Sequence, residues 1–219
     1  MITTPIHVID FEGSRQSGIV EFGVATVEAG SITATYTRLC APVGTISDMD
    51  RAQHGIDEAM ASRSEPFEQE WALFSELRSK GPFCAHSAAV EAGFIATVWP
   101  YPRQCPNFAE PGTETADWGP WLDTLPLYRR IYPGLESYGL ENLVSAFGLQ
   151  QALDQHARSF CPKNRQHYHC ALYDAMASAL LLTRLFTEPE LAAASLRWLF
   201  LQSASSKLGR ESIRQQELL

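Results

Sequence analysis

The sequence predicts an α/β domain, a mixed sheet of about five strands flanked by helices. Three observations predict it. Residues 7–11, 18–27 and 31–40 are rich in Val, Ile, Phe, Thr and Tyr, and the turns at 13–17 and 28–30 are too short for a crossover, so these strands form an antiparallel meander. After Pro42 helical repeats alternate with short apolar runs at 83–86 and 121–124. With 219 residues, 45% hydrophobic and 19% charged, the chain is long enough for one well-buried domain.

Between the meander and the first long helix, residues 44–66 are polar and turn-rich and read as a surface connection. Pro66 followed by Phe67, Trp71, Phe74 and Leu77 gives a helical repeat, closed by Lys80-Gly81-Pro82. A short buried strand at 83–86 follows, and Ser87 is placed to cap a helix over 88–99, with Glu91 one turn beyond the cap. Residues 101–119, punctuated by Pro and Gly, read as a long loop. Then come a strand at 121–124 and helices at 125–131, 138–148 and 151–158, a polar loop at 161–166, and an Ala- and Leu-rich helix over 168–185 with His169 and Asp174 at its start. Glu188-Pro189-Glu190 opens a last helix carrying Leu191, Leu196, Leu199 and Phe200; beyond Ser203 the chain is polar and prone to fray. There is no internal repeat.

Seventeen Lys and Arg stand against 25 Asp and Glu, a formal net charge of -8. That balance disfavours long duplex nucleic acid held along its backbone, while a short or single-stranded end gripped locally through metals remains compatible. No basic leader with a cleavable apolar stretch and no bilayer-length apolar run is found, so the expectation is a cytoplasmic protein with no membrane partner. The five cysteines, Cys40, Cys84, Cys105, Cys161 and Cys170, are odd in number and lack CxxC spacing, which fits reduced thiols. Cys161, His167, His169 and Cys170 cluster, but their spacing matches no familiar zinc pattern.

The chemistry starts at Val8-Ile9-Asp10-Phe11-Glu12-Gly13-Ser14. On a strand Asp10 and Glu12 project to one face, with Phe11 packing behind. The same acid-x-acid spacing recurs at Asp48/Asp50, Glu68/Glu70 and Glu188/Glu190, where solvated charge is explanation enough. The first pair differs in its strand setting and in its company: Glu91 and Asp174 lie at helix starts and can converge with it. Four carboxylates in one pocket require divalent cations, and two ions about 3.5–4 Å apart make the clamp used in phosphodiester cleavage. His169, five residues ahead of Asp174, is placed to take a proton from an attacking water. Blander roles compete. Glu91 has a second reading as an exposed helix acid and His169 one as a helix-start hydrogen-bonding residue, while Asp123 reads first as a cap for its own helix. His54 and His86 read as structural, and Phe11, Val90, Phe94, Trp99, Trp118 and Trp121 as either core or base-stacking residues.

These motifs, in order, resemble the DEDDh 3'–5' exonuclease superfamily of proofreading subunits, ribonuclease T and oligoribonuclease. Asp10-Phe11-Glu12 is similar to its first motif and Ile19-Val20-Glu21-Phe22-Gly23 to the strand after it. His54-Gly55-Ile56 is similar to its His-Gly-Ile segment, Ala85-His86-Ser87-Ala88-Ala89-Val90-Glu91 to the second motif, and Asp123-Thr124-Leu125 to the segment between motifs. His169-Cys170-Ala171-Leu172-Tyr173-Asp174-Ala175 is similar to the third motif, with its His-x4-Asp spacing. The resemblance implies a ribonuclease H-like fold, with an exonuclease domain over residues 1–187 and a C-terminal helix and tail over 188–219 packed on or extending from it.

It further implies an enzyme that releases nucleoside 5'-monophosphates from the 3' ends of single-stranded DNA or RNA. Two Mg2+ or Mn2+ ions would be held by Asp10, Glu12, Glu91 and Asp174, with His169 as general base. Phe11, Gly13, Ser14, Val90 and Phe94 are the residues expected against the substrate. A homodimer or a polymerase or repair partner is compatible with this reading. Two departures stand out: Glu91 replaces the usual Asp, and Ser87 the usual Asn. The alternative is a catalytically silent module that binds nucleic acid or protein.

Overall fold

In the computed structural model, which describes residues 2–191 and 193–204, β1 (Ile6–Ser14), β2 (Gly18–Glu28) and β3 (Ser31–Leu39) form the expected antiparallel meander. The chain continues through α1 (Asp48–His54), α2 (Glu58–Ala61), a 3-10 turn (Phe67–Glu70) and α3 (Trp71–Lys80) to β4 (Phe83–Ala85) and α4 (Ala88–Val98). A two-stranded hairpin, β5 (Cys105–Pro106) and β6 (Glu114–Thr115), precedes β7 (Leu122–Asp123). Helices α5 (Thr124–Ile131), α6 (Leu140–Ala146), α7 (Gln150–Phe160), α8 (Ala171–Thr187) and α9 (Leu196–Ser203) complete it. The sheet order is β3-β2-β1-β4-β7, with β4 parallel to β1 and β7 parallel to β4. It is the mixed five-stranded sheet the sequence predicts.

Strand periodicity sorts side chains to two unlike faces. Ile6, Val8, Ala25 and Val27 pack under α8, whose Ala, Met and Leu residues are almost wholly buried. Ile9, Phe11, Phe22 and Val24 point the other way, into a layer of Phe67, Phe74, Phe83 and Trp118 with Trp71 and Trp99 against it. Ring centroids there lie 5.1 Å apart for Phe67 and Phe74 and 4.8 Å for Phe67 and Trp99. Because both faces are covered, β2 is buried along nearly its whole length, and Glu21 with it.

Several local expectations are corrected. The connection at 44–66 contains α1 and α2, each started by a side-chain cap: Ser47 Oγ accepts the Asp50 amide and Asp57 Oδ1 the Met60 amide. His54 and Ile56 are buried there rather than on the surface. Within the 101–119 loop sits the β5–β6 hairpin, fastened to α3 by buried Arg78, which donates to the carbonyls of Trp118 (3.0 Å), Pro106 (3.0 Å) and Gly119 (2.7 Å). The last helix starts not at Glu188 but at Leu196, where the Ser195 hydroxyl accepts the Trp198 amide. Leu199 and Phe200 of α9 are buried in the α8-side core. The polar tail beyond Ala204 lies outside the described residues. The five cysteines are free and buried. Among the described residues no helix is long and apolar enough to cross a membrane.

Candidate active site

Asp10 and Glu12 share the Val8 face of β1, directed toward the start of α8, where Asp174 occupies the first turn. Gly23, paired with Asp10 across the β1–β2 ladder, makes that approach possible: a Cβ there would lie 2.2 Å from the backbone of Ala171 and Leu172. The third element is α4. Pairing of β1 with β4 ends at Val8, and farther along β1 the Phe11 amide donates instead to Glu91 Oε2, at 3.1 Å. Glu91 is thus a buried member of the acidic group, not an exposed helix acid; its extra methylene spans from α4 to the backbone between Asp10 and Glu12. Asp174 Oδ2 accepts the His169 amide at 2.9 Å, while Oδ1 is buried without a partner.

Crowding makes these acids reluctant to ionise together. Asp10 is pushed well above the usual carboxylate range by burial, then by Glu91, Asp174, Glu12 and Glu21. Glu12 is pushed up to about 8, first by burial and then by Asp174 and Glu21, against the pull of Arg165. Burial likewise raises Glu91 to about 8, opposed by the Phe11 amide, and Asp174 to about 7, opposed by the His169 amide. An orphaned buried carboxylate oxygen among mutually repelling acids fits a bound divalent cation. Glu12, His169 and Asp174 each present an atom within 4.8 Å of the others, the one group among the described residues spaced to hold an ion. The Cys–His cluster is not so arranged: Cys170 Sγ lies 3.4 Å from His167 Nδ1, and His169 is with the acids.

His169 is not on the helix as expected. α8 begins two residues later, and His169 adopts φ 62°, a left-handed conformation uncommon for a side-chain-bearing residue. Its loop is held by an ion pair the sequence reading did not single out. Arg165 donates Nε to Glu21 Oε1 (3.0 Å) and Nη2 to Oε2 (2.6 Å), both side chains being nearly inaccessible. The same guanidinium donates to the carbonyls of His54 (2.5 Å) and His169 (3.3 Å), and Glu21 Oε2 also accepts the Ala171 amide (2.9 Å). One sequence signal pointed here: an acid inside the otherwise apolar run Ile19-Val20-Glu21-Phe22 demands a buried partner.

Of the residues expected against the substrate, Ser14, Val90 and Phe94 line a cleft of about 870 Å³, joined by Arg15. Gly13 sits at the bulge that follows Glu12, and Phe11 lies in the aromatic layer behind the acids, 5.3 Å from Phe67. Asp123 caps α5 through the Leu125 amide and also accepts the amides of Ser87 and Ala88, each at 3.0 Å. That displaces the expected Ser87 cap: Ser87 is itself left-handed and makes no capping bond. His86 bridges Thr124 and the Tyr138 carbonyl, and His54 accepts the Ile56 amide, both structural roles.

A family model described as exonuclease matches residues 7–182. Among curated relatives, the PolC-type DNA polymerase III of Streptococcus suis is 25% identical over 166 residues, covering 76% of this chain and 10% of that protein. That of Listeria welshimeri is 26% identical over 170 residues, covering 78% and 10%. The chain therefore spans about a tenth of these relatives' length. Exonuclease X, solved in complex with 5' overhanging duplex DNA, superposes with a TM-score of 0.57 at 26% identity, covering 84% of this chain and 93% of that one. The nuclease domain of 3'hExo, a DEDDh family member bound to rAMP, superposes with a TM-score of 0.61 at 16% identity, covering 85% and 94%. The match over residues 7–182 is most of the chain, which therefore belongs to the exonuclease family.

Proposed function

We propose that this exonuclease removes nucleotides from the 3' ends of single-stranded DNA or RNA, releasing nucleoside 5'-monophosphates. One observation carries the reading: Asp10, Glu12, Glu91 and Asp174 arrive from three elements at one place, with His169 beside two of them. Asp10, Glu12 and Asp174 would hold one magnesium or manganese ion, and Asp10 with Glu91 a second. Bound there, such ions supply Lewis-acid polarisation of the phosphoryl group and offset its charge.

The chain supplies the rest. His169 is exposed and takes the proton of the attacking water on a ring nitrogen. The cleft lined by Ser14, Val90 and Phe94 receives the terminal nucleoside, with Phe11 packed against Phe67 of its wall; the place of a Gly13 side chain is filled by the Gly18 carbonyl, so Gly13 serves the β1–β2 turn. Arg15, at the same cleft, is a cation available to a phosphate. The net charge of -8 favours short contacts at an end over a long duplex track. Similarity to PolC polymerases supports work alongside a polymerase or repair partner; a homodimer is the alternative assembly.

The test is incubation with 5'-labelled single-stranded DNA, single-stranded RNA and duplexes with recessed ends, in magnesium, manganese or chelator. A ladder shortening from the 3' end, abolished by chelator, is expected. No cleavage with either metal on any substrate overturns the reading in favour of a silent binding module.

A further inference from the structure

Among the four acids and His169, only His169 sits on irregular backbone, and its left-handed φ has to be held by its surroundings. Its amide is tied to Asp174 and its carbonyl to Arg165, which fixes the main chain but leaves the ring free to turn. Among the described residues, one side chain bonds that ring: Gln53, whose amide is 3.4 Å from Nδ1. Gln53 is itself well placed. It lies in the last turn of α1, a helix capped at its start by Ser47 and closed by Gly55 in the left-handed conformation. The carbonyl of the next residue, His54, is gripped by the same Arg165 guanidinium that holds the His169 carbonyl. One arginine therefore sets the distance between the helix bearing Gln53 and the loop bearing His169.

We propose that Gln53 is a positioning residue for His169, orienting the imidazole and selecting its tautomer. A half-turn of the amide presents Oε1 rather than nitrogen to the ring. Oε1 then accepts the Nδ1 proton, which leaves Nε2 unprotonated and fixed in direction, the state a general base needs. This rests on His169 acting as the base, and the experiment separates the two ideas.

The full chain is assayed on a single-stranded oligonucleotide with magnesium as wild type, Gln53→Leu, Gln53→Glu, His169→Ala and the Gln53→Leu/His169→Ala double variant. Gln53→Leu keeps the volume but no hydrogen bond; it should lower kcat roughly tenfold or more with KM and melting temperature unchanged. Gln53→Glu, which retains an acceptor oxygen, should recover kcat to within about threefold of wild type. In the His169→Ala background Gln53→Leu should have no further effect, as expected of a residue acting only through that ring. A Gln53→Leu kcat within twofold of wild type, a Gln53→Glu enzyme as slow as Gln53→Leu, or an equal loss in the His169→Ala background would each overturn the proposal. Equal rates for wild type and His169→Ala would instead remove the base assignment beneath it.

Discussion

The site has two halves built in different ways. Asp10, Glu12, Glu91 and Asp174 project from a strand and two helices, where regular backbone fixes their directions. His169 hangs on a loop before α8, in a strained conformation, held by one buried ion pair that bonds to three segments. The acidic half is rigid and electrostatically unfavourable by itself; the histidine half is electrostatically satisfied and conformationally costly. On the proposed function both halves are needed, and each should fail differently.

The largest expected effect falls on the acidic half. Asp10→Asn should lower divalent-dependent cleavage roughly a thousandfold or more, since several kcal/mol of charge stabilisation are lost at about 1.4 kcal/mol per tenfold. In chelator the same variant should melt at a higher temperature than wild type, because one of four mutually repelling acids is gone. A lower melting temperature would break the contrast between the halves.

Arg165→Met should do the reverse in kind. It leaves Glu21 buried without its counter-ion, a loss of about 3–5 kcal/mol seen in denaturant titration. Adding Glu21→Gln should restore part of that stability without restoring activity, since the carbonyls of His54 and His169 still lack their donor. Full recovery of both would mean that the ion pair does nothing for the histidine loop.

Smallest is a pH effect confined to the acids. Glu12 and Glu91 rise to about 8 in the folded chain from an ordinary 4.5, so their contribution to stability is complete below about pH 4.5 and is lost as pH climbs through 8. Chelator-treated protein should therefore melt lower at pH 8 than at pH 5. A net loss of about 2 kcal/mol corresponds to roughly 4–8 °C for a chain of this size. Magnesium should stabilise the protein more at pH 8 than at pH 5; equal shifts at both pH values would show that the acids do not bind it as a group.

The contrast also explains what could be read in advance. Asp10 and Glu12 announce themselves through strand period, and Glu91 and Asp174 through their offsets from His86 and His169, because regular elements turn sequence spacing into direction. The meander, β4 and the length of α8 were legible for the same reason. The helices at Asp48–His54 and Glu58–Ala61 were not: both are too short for periodicity and exist because of their caps. Ser87 looked like a cap because it is local, yet Asp123, 36 residues away, takes the position. Glu21 and Arg165 are separated by 144 residues, and no local pattern pairs them.

The aromatic layer behind the acids has an optical consequence. Trp71, Trp99 and Trp118 lie with ring centroids 5.4–5.8 Å from one another, close enough for their excited states to couple and give the folded chain a strong near-ultraviolet dichroism. That signal arises on the face of the sheet turned away from Asp10 and Glu12. A charge can be removed from the site while the chromophores keep their packing, so the protein carries its own internal gauge by which a dead catalyst is distinguished from an unfolded one.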